Sequence, residues 1–293
     1  MMLRLKTLRF ASLFAALLFS AVSASAQSTK VPSDSRLRTI IEKKAIRIAY
    51  RPDATPFSFN DKDQPAGYSV ELCQAVAQLI AKQSNVAELK ITWVPVTAQS
   101  RFTAISSGQA DMECSSSSVT LGRMKDVDFS NYTFVESTGV VVKRAANFKS
   151  ITDMAGKKIA VVAGTTNEKA IVEQSKARAL NITTVSVKDR DEGVAMLTDG
   201  KVDGYASDKI LLMGTELKTP DDFVMLPDDL SIEAYAITLP RGDWALRLAV
   251  NTGLAQIYRS GLVLVLFKRW FEPVGLKPGL LLTAIYALGG LSD

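Results

Sequence analysis

From residue 36 onward, short β-rich apolar runs alternate with stretches whose apolar positions recur every three or four residues. The runs 46–50 (IRIAY), 91–96 (ITWVPV), 110–114 (ADMEC), 158–163 (KIAVVA), 183–187 (TTVSV) and 202–206 (VDGYA) predict strands. Helical spacing falls between them, near 69–82, 99–107, 166–179, 190–198 and 208–216. Such alternation predicts an α/β architecture, with parallel or mixed sheets covered by helices.

A weak internal echo divides this pattern. Residues 104–112 read AISSGQADM and residues 196–204 read MLTDGKVDG. Each looks like a helix end, then a glycine, then a small apolar residue and an aspartate opening a strand. Gly108 and Gly200 suit the left-handed position that stops a helix. Two lobes of similar design are expected. The runs 134–142 (FVESTGVVV) and 231–239 (SIEAYAITL) are then two extended segments crossing between lobes. Lobe 1 would comprise residues 37–137 plus 236–276, and lobe 2 residues 138–235. Two crossing strands make a hinge. The alternative is a pair of edge strands on one sheet, and the run lengths favour the hinge.

The N-terminus follows a different rule. Arg4, Lys6 and Arg9 precede a short apolar run at 10–22, and Ala24-Ser25-Ala26 reads as a cleavage site. The run is shorter than the ~20 apolar residues that span a bilayer. Residues 1–26 are therefore expected to be a cleaved signal peptide and the chain a periplasmic one. The signal holds three of the 35 basic residues and no acidic ones, so 32 basic face 30 acidic in the remainder. That balance gives no support to nucleic-acid binding. Near the C-terminus, 261–267 and 280–288 are apolar but are broken by charges, Pro273 and Pro278. They predict buried helices, with 277–293 a helical extension.

Composition removes much chemistry. The 293 residues include no histidine and two cysteines, Cys73 and Cys114. A hydrolase triad needs an imidazole, and a His- or Cys-rich zinc site lacks its ligands. No dinucleotide, Walker A or nucleophile-elbow motif occurs. No cofactor or metal is called for. In an exported chain the two cysteines could form a bridge or remain two buried thiols.

The residues just beyond each strand are more telling, because open α/β sheets bind ligands at the carboxyl ends of their strands. Arg51 comes after the first strand, Arg101 after the second, Ser116, Ser118 and Arg123 after the third. Thr165 and Thr166 come after 158–163, Arg190 after 183–187 and Asp208 after 202–206. Guanidinium groups match carboxylates in planar, two-point fashion. Several arginines beside one aspartate describe a ligand with more than one carboxylate and an ammonium, that is, an acidic amino acid. Thr165 with Glu168 also fits a capping box, and free N–H groups at such a helix start bind carboxylates. Arg190 either joins the ligand or pairs with Asp189 or Asp191.

The segments RPDATPFSF (51–59), AGYSVEL (66–72), VPVTAQSRF (94–102), SGQADMECSSSSVTLGR (107–123), AGKKIAVVAGTTNE (155–168), SDKILL (207–212) and EAYAITL (233–239) stand in a specific order and spacing. In them the chain resembles the family-3 extracellular solute receptors of polar amino-acid ABC importers, over about residues 37–275, and most of all the glutamate/aspartate receptors among them. The resemblance implies a bilobed type II periplasmic-binding fold that closes on its ligand, a monomer handing an amino acid to a membrane permease. It implies Arg123, Ser116, Ser118 and Thr165 on the α-carboxylate, Asp208 on the ammonium, and Arg51 and Arg101 on the side-chain carboxylate. The chain departs at Ala98, where those receptors carry serine, and at Arg190, where they carry histidine. Another polar amino acid such as glutamine, or a dehydratase-like enzyme on the same fold, is the alternative. An enzyme would need Glu136, Glu233 or Lys188 as acid or base, and no paired arrangement supports that role.

Overall fold

The computed structural model describes residues 31–216 and 221–292, and the expected signal segment lies outside them. After α1 (Arg36–Lys43), the chain runs through β1 (Ala45–Tyr50), β2 (Asp53–Ala54), β3 (Ser58–Asp61), β4 (Gln64–Ala66), α2 (Tyr68–Gln83), β5 (Lys90–Pro95), α3 (Arg101–Ser106) and β6 (Met112–Glu113). The strands β7 (Val127–Glu136) and β8 (Thr138–Lys143) come next, then β9 (Lys158–Val162), α4 (Thr166–Ala177), β10 (Thr183–Val187), α5 (Arg190–Thr198), β11 (Gly204–Asp208) and α6 (Lys209–Glu216). Finally come β12 (Phe223–Met225), β13 (Glu233–Pro240), α7 (Trp244–Arg259), α8 (Leu262–Phe271) and α9 (Leu280–Gly289).

These elements form two five-stranded sheets of matching design. The first has the order β5-β1-β6-β13-β7 and the second β10-β9-β11-β8-β12. In each, the first three strands run parallel and the fourth returns antiparallel. The chain changes sheet at Ser137, between β7 and β8, and again between β12 and β13.

The sequence echo has a physical basis. Gly108 and Gly200 both adopt positive φ, 81° and 72°, where a Cβ would be strained. Each ends a helix just before the third strand. The aspartates three residues on, Asp111 and Asp203, play the same part in both sheets. Asp111 accepts the Arg47 N–H on β1, and Asp203 accepts the Lys158 N–H on β9, at 2.8 and 2.9 Å. Each backbone N–H of the pair returns a bond of 2.8 Å, Asp111 to the Arg47 carbonyl and Asp203 to the Lys158 carbonyl. Because Asp203 is held in that turn, the strand expected at 202–206 begins at Gly204 and extends to Asp208.

The first core is sealed by an aromatic cluster. Phe57 meets Phe134, Tyr235 and Phe271 with ring centroids 4.9 to 5.4 Å apart. Burying each such ring contributes roughly 1.5–3 kcal/mol. Gly67 lets α2 start against Phe57, since a Cβ there would lie 2.4 Å from the Phe57 carbonyl oxygen. The cysteines form a buried disulfide, Cys73–Cys114, tying α2 to the end of β6. The second core packs Val140, Val142, Ile159, Val161 and Ile171.

The C-terminus corrects one expectation. The apolar pattern predicts a buried helix at 280–288, yet in α9 only Leu282 and Tyr286 are buried. The helix docks by one stripe, with the Tyr286 hydroxyl 2.9 Å from that of Tyr68. Leu280, Leu281 and Leu288 face solvent. The sequence pattern also gives no sign of α1, the small β2-β3-β4 sheet, β12 or α7. Among the described residues, no single helix is long and apolar enough to cross a membrane.

Candidate functional site

A small, polar-lined pocket lies where the strand ends of the two sheets face one another. Its walls include eight of the nine residues singled out from sequence: Arg51, Arg101, Ser116, Ser118, Thr165, Thr166, Arg190 and Asp208. Arg123 sits beside it. Its Nη1 donates to the Ser118 carbonyl at 2.7 Å and its Nη2 reaches the Gly164 carbonyl at 3.5 Å, so its side chain spans the two walls. The ring of Phe102 lies between two arginines, 4.8 Å from Arg101 Cζ and 4.7 Å from Arg123 Cζ. Arginines flank aromatic faces in this way because the ring quadrupole attracts cations.

The arginines differ in how they are satisfied. Arg51, directly after β1, is fixed: its N–H donates to Ser58 Oγ, and its Nε and Nη2 both donate to Asp53, each at 2.9 Å. Burial opposes its charge, but Asp53, with Asp208 and Glu113, outweighs that and holds the guanidinium above its ordinary pKa. Arg101, the first residue of α3, is 2% exposed, and its Nε and Nη1 have no partner. Burial, with Arg51 and Arg123 nearby, pulls its pKa down to about 9. A buried cation with open donors is costly unless an anion arrives to use them. Arg190 opens α5, and burial is the main influence lowering its pKa, partly offset by Tyr205 and Asp191.

Opposite lies one carboxylate with the complementary problem. Asp208, the last residue of β11, is 5% exposed and its Oδ1 has no partner. Burial is the largest influence pushing its pKa, up to about 6. By contrast Glu113 is satisfied, taking hydroxyl hydrogens from Ser115 and from Thr238.

The wall of the second sheet is a helix start. Thr165 caps α4 by accepting the Glu168 N–H, and the Glu168 carboxylate takes the Gly164 N–H at 3.1 Å. The remaining first-turn N–H groups carry the positive end of the helix dipole. Ser118 and Thr166 hydroxyls meet across the pocket at 3.2 Å, and Ser116 Oγ is buried without a partner. Outside the pocket Gln99 links the two sheets: its Nε2 donates to the Ala163 and Lys188 carbonyls at 3.3 and 3.2 Å.

Sequence reasoning missed Asp53, Asn167 and Tyr205 among the lining residues. Asp53 left a signal, because in extended chain residues i and i+2 share a face. Asn167 is held by the Thr138 hydroxyl at 2.6 Å, a contact between distant segments. Tyr205 reads as a core aromatic, yet its hydroxyl is buried and unpartnered.

Residues 46–273 match the model of the bacterial extracellular solute-binding proteins, family 3. The L-glutamate/L-aspartate-binding protein of Pseudomonas aeruginosa is 32% identical over 266 residues, 88% of each chain. The glutamate/aspartate import solute-binding protein of Escherichia coli is 28% identical, over 88% of this chain and 86% of its own. Among solved structures, an ancestral amino acid-binding protein described as a precursor of cyclohexadienyl dehydratase superposes with TM-score 0.70. It is 27% identical and covers 81% of this chain and 100% of its own.

Proposed function

The chain belongs to the bacterial extracellular solute-binding proteins of family 3, and from that premise we propose that it captures an acidic amino acid, L-glutamate or L-aspartate, for import by an ABC permease. One observation carries the choice of ligand. Arg101 and Asp208 line the same pocket and are buried, and Arg101 Nε and Nη1 and Asp208 Oδ1 lack a hydrogen-bond partner, with Tyr235 and Asn167 the polar neighbours of the Asp208 carboxylate. An acidic amino acid supplies an anion to Arg101 and an ammonium to Asp208.

The remaining roles follow from position. The α-carboxylate lies at the α4 start against Thr165, Thr166, Ser116, Ser118 and Arg123. Its ammonium meets Asp208. The side-chain carboxylate meets Arg101, with Arg51 and Arg190 beside it. Ligand contacts to both walls favour the state in which they are close, and closure requires that difference in affinity between states. With β13 in the first sheet from Glu233 onward, lobe 1 takes residues 37–137 plus 233–276 and lobe 2 residues 138–232, moving the sequence-based boundary at 235/236 by three residues, and they rotate about the two crossovers as a monomer. The protein works in the periplasm after removal of residues 1–26, and its closed form is what the permease reads.

A dehydratase on this fold would need a general acid or base at the pocket. Glu136, Glu233 and Lys188 are not among the lining residues, which favours the receptor. The test is a thermal-shift panel on protein unfolded and refolded to strip carried-over ligand. L-glutamate and L-aspartate should each raise Tm by several degrees, since a ligand at 100 times its Kd adds about 2.7 kcal/mol. A shift from L-arginine or L-glutamine alone would reject the acidic ligand.

A further inference from the structure

The arginine cluster contains its own anion. Asp53 holds Arg51 along one edge of the guanidinium with two bonds of 2.9 Å, and Arg51 is buried while the Asp53 side chain is 28% exposed. Arg51 directly follows β1 and Asp53 opens β2, and both line the pocket. Asp53 is also within electrostatic reach of Arg101 and Arg190, the other two arginines of the lining. Arg51 thus offers the ligand its remaining Nη1 donor, with most of its charge already balanced.

We propose that Asp53 is a specificity-determining residue, an internal counter-anion that takes up part of the arginine cluster and limits how strongly the pocket prefers a side-chain carboxylate over a neutral amide. The inference rests on the acidic-ligand reading above. It follows from the charge arrangement. A ligand carboxylate must share the guanidiniums with Asp53 and is repelled by it, whereas an amide side chain feels no net charge from it. Asp53 therefore lowers affinity for glutamate and leaves glutamine nearly untouched. It also fixes Arg51, so a neutral substitute frees a second two-point donor for the ligand.

The experiment is calorimetric titration of L-glutamate and L-glutamine into the parent, Asp53→Asn and Asp53→Glu proteins, each checked for cooperative melting. The quantity read is the ratio of the glutamine Kd to the glutamate Kd. In Asp53→Asn it should rise about tenfold or more, the scale expected for removing one nearby charge at a partly buried site. In Asp53→Glu it should stay within about threefold of the parent. A purely structural role for Asp53 would weaken both ligands alike and leave the ratio unmoved. An unmoved ratio in an Asp53→Asn protein that still binds glutamate overturns the inference alone. Should Asp53→Asn fail to fold, Asp53→Ser gives the same reading with a smaller side chain. A parent protein that binds neither amino acid overturns the acidic-ligand reading, and this inference with it.

Discussion

Glu136 and Glu233 face each other as register partners on β7 and β13, the two strands that border the crossovers. Directly opposed residues of antiparallel strands project to the same face. Both side chains are buried, Glu136 accepting the Ser137 N–H at 3.0 Å and Glu233 the Ser231 hydroxyl at 2.9 Å. Burial pushes the Glu136 pKa up to about 8, against the Ser137 bond that lowers it, and Asp208 adds to the rise while Lys209 opposes it.

Stability should therefore fall as pH rises through this window. The folded state keeps the Glu136 proton while the unfolded chain has lost it above the ordinary carboxylate pKa near 4.5. The contribution is fully present below 4.5 and is lost as pH passes about 8. The slope for one such proton is at most about 1.4 kcal/mol per pH unit. Thermal melts from pH 5 to pH 8.5 should show Tm falling in the parent and falling less in Glu136→Gln. Equal slopes would mean that Glu136 is already ionised in the fold.

Ligand affinity should have its own pH dependence. Asp208 must be ionised to meet an ammonium, and its pKa stands near 6 before the ligand arrives. Kd for glutamate should thus rise as pH drops below 6, by up to about tenfold per unit. Asp208→Asn should weaken glutamate by roughly 30-fold or more and remove the dependence. Unchanged affinity in Asp208→Asn, measured by titration calorimetry, would place the ammonium elsewhere.

The disulfide should matter to stability and leave recognition alone. Cys73 and Cys114 are 41 residues apart, so opening that loop stabilises the unfolded chain by about 4 kcal/mol in the chain-entropy model. A Cys73→Ala, Cys114→Ala protein should lose about that much unfolding free energy, read as a lower urea midpoint. Its glutamate Kd at 25 °C should match the parent. A large change in Kd would show that the bridge positions the serine loop after Cys114.

Gly193 sets the seat of Tyr205. A Cβ at Gly193 would stand 2.3 Å from Tyr205 Cε2, so Gly193→Ala must displace the ring. Overpacking of this kind costs about 1–3 kcal/mol, and Tyr205 belongs to the pocket lining. Both Tm and glutamate affinity should drop, the latter by about tenfold. A lower Tm with unchanged affinity would remove Tyr205 from the ligand's surroundings.

Much of the fold and the pocket is legible in the sequence, for reasons visible in the structure. The glycine-to-aspartate echo marks the entry to the third strand of each sheet because Asp111 and Asp203 make the same backbone contacts there. Strand-end polar residues mark the pocket because parallel strands end on one side. The features that escape depend on contacts distant in sequence. β2 is two residues long and has no period to read. The chain shows Asp53 beside Arg51, but only the fold shows that Asp53 occupies the guanidinium. Tyr205 is apolar by pattern, and only the pocket on its far side makes its hydroxyl exceptional. In α9 the apolar pattern overstates burial, since one stripe suffices to dock it.

The most direct test compares L-glutamate titrations of the parent and Arg101→Met. Arg101 is a buried cation whose Nε and Nη1 are unused, an arrangement that costs the ligand-free protein stability. Arg101→Met should raise the ligand-free Tm and weaken glutamate by roughly 30- to 1,000-fold. An Arg101→Met protein that binds glutamate as tightly as the parent would contradict the account.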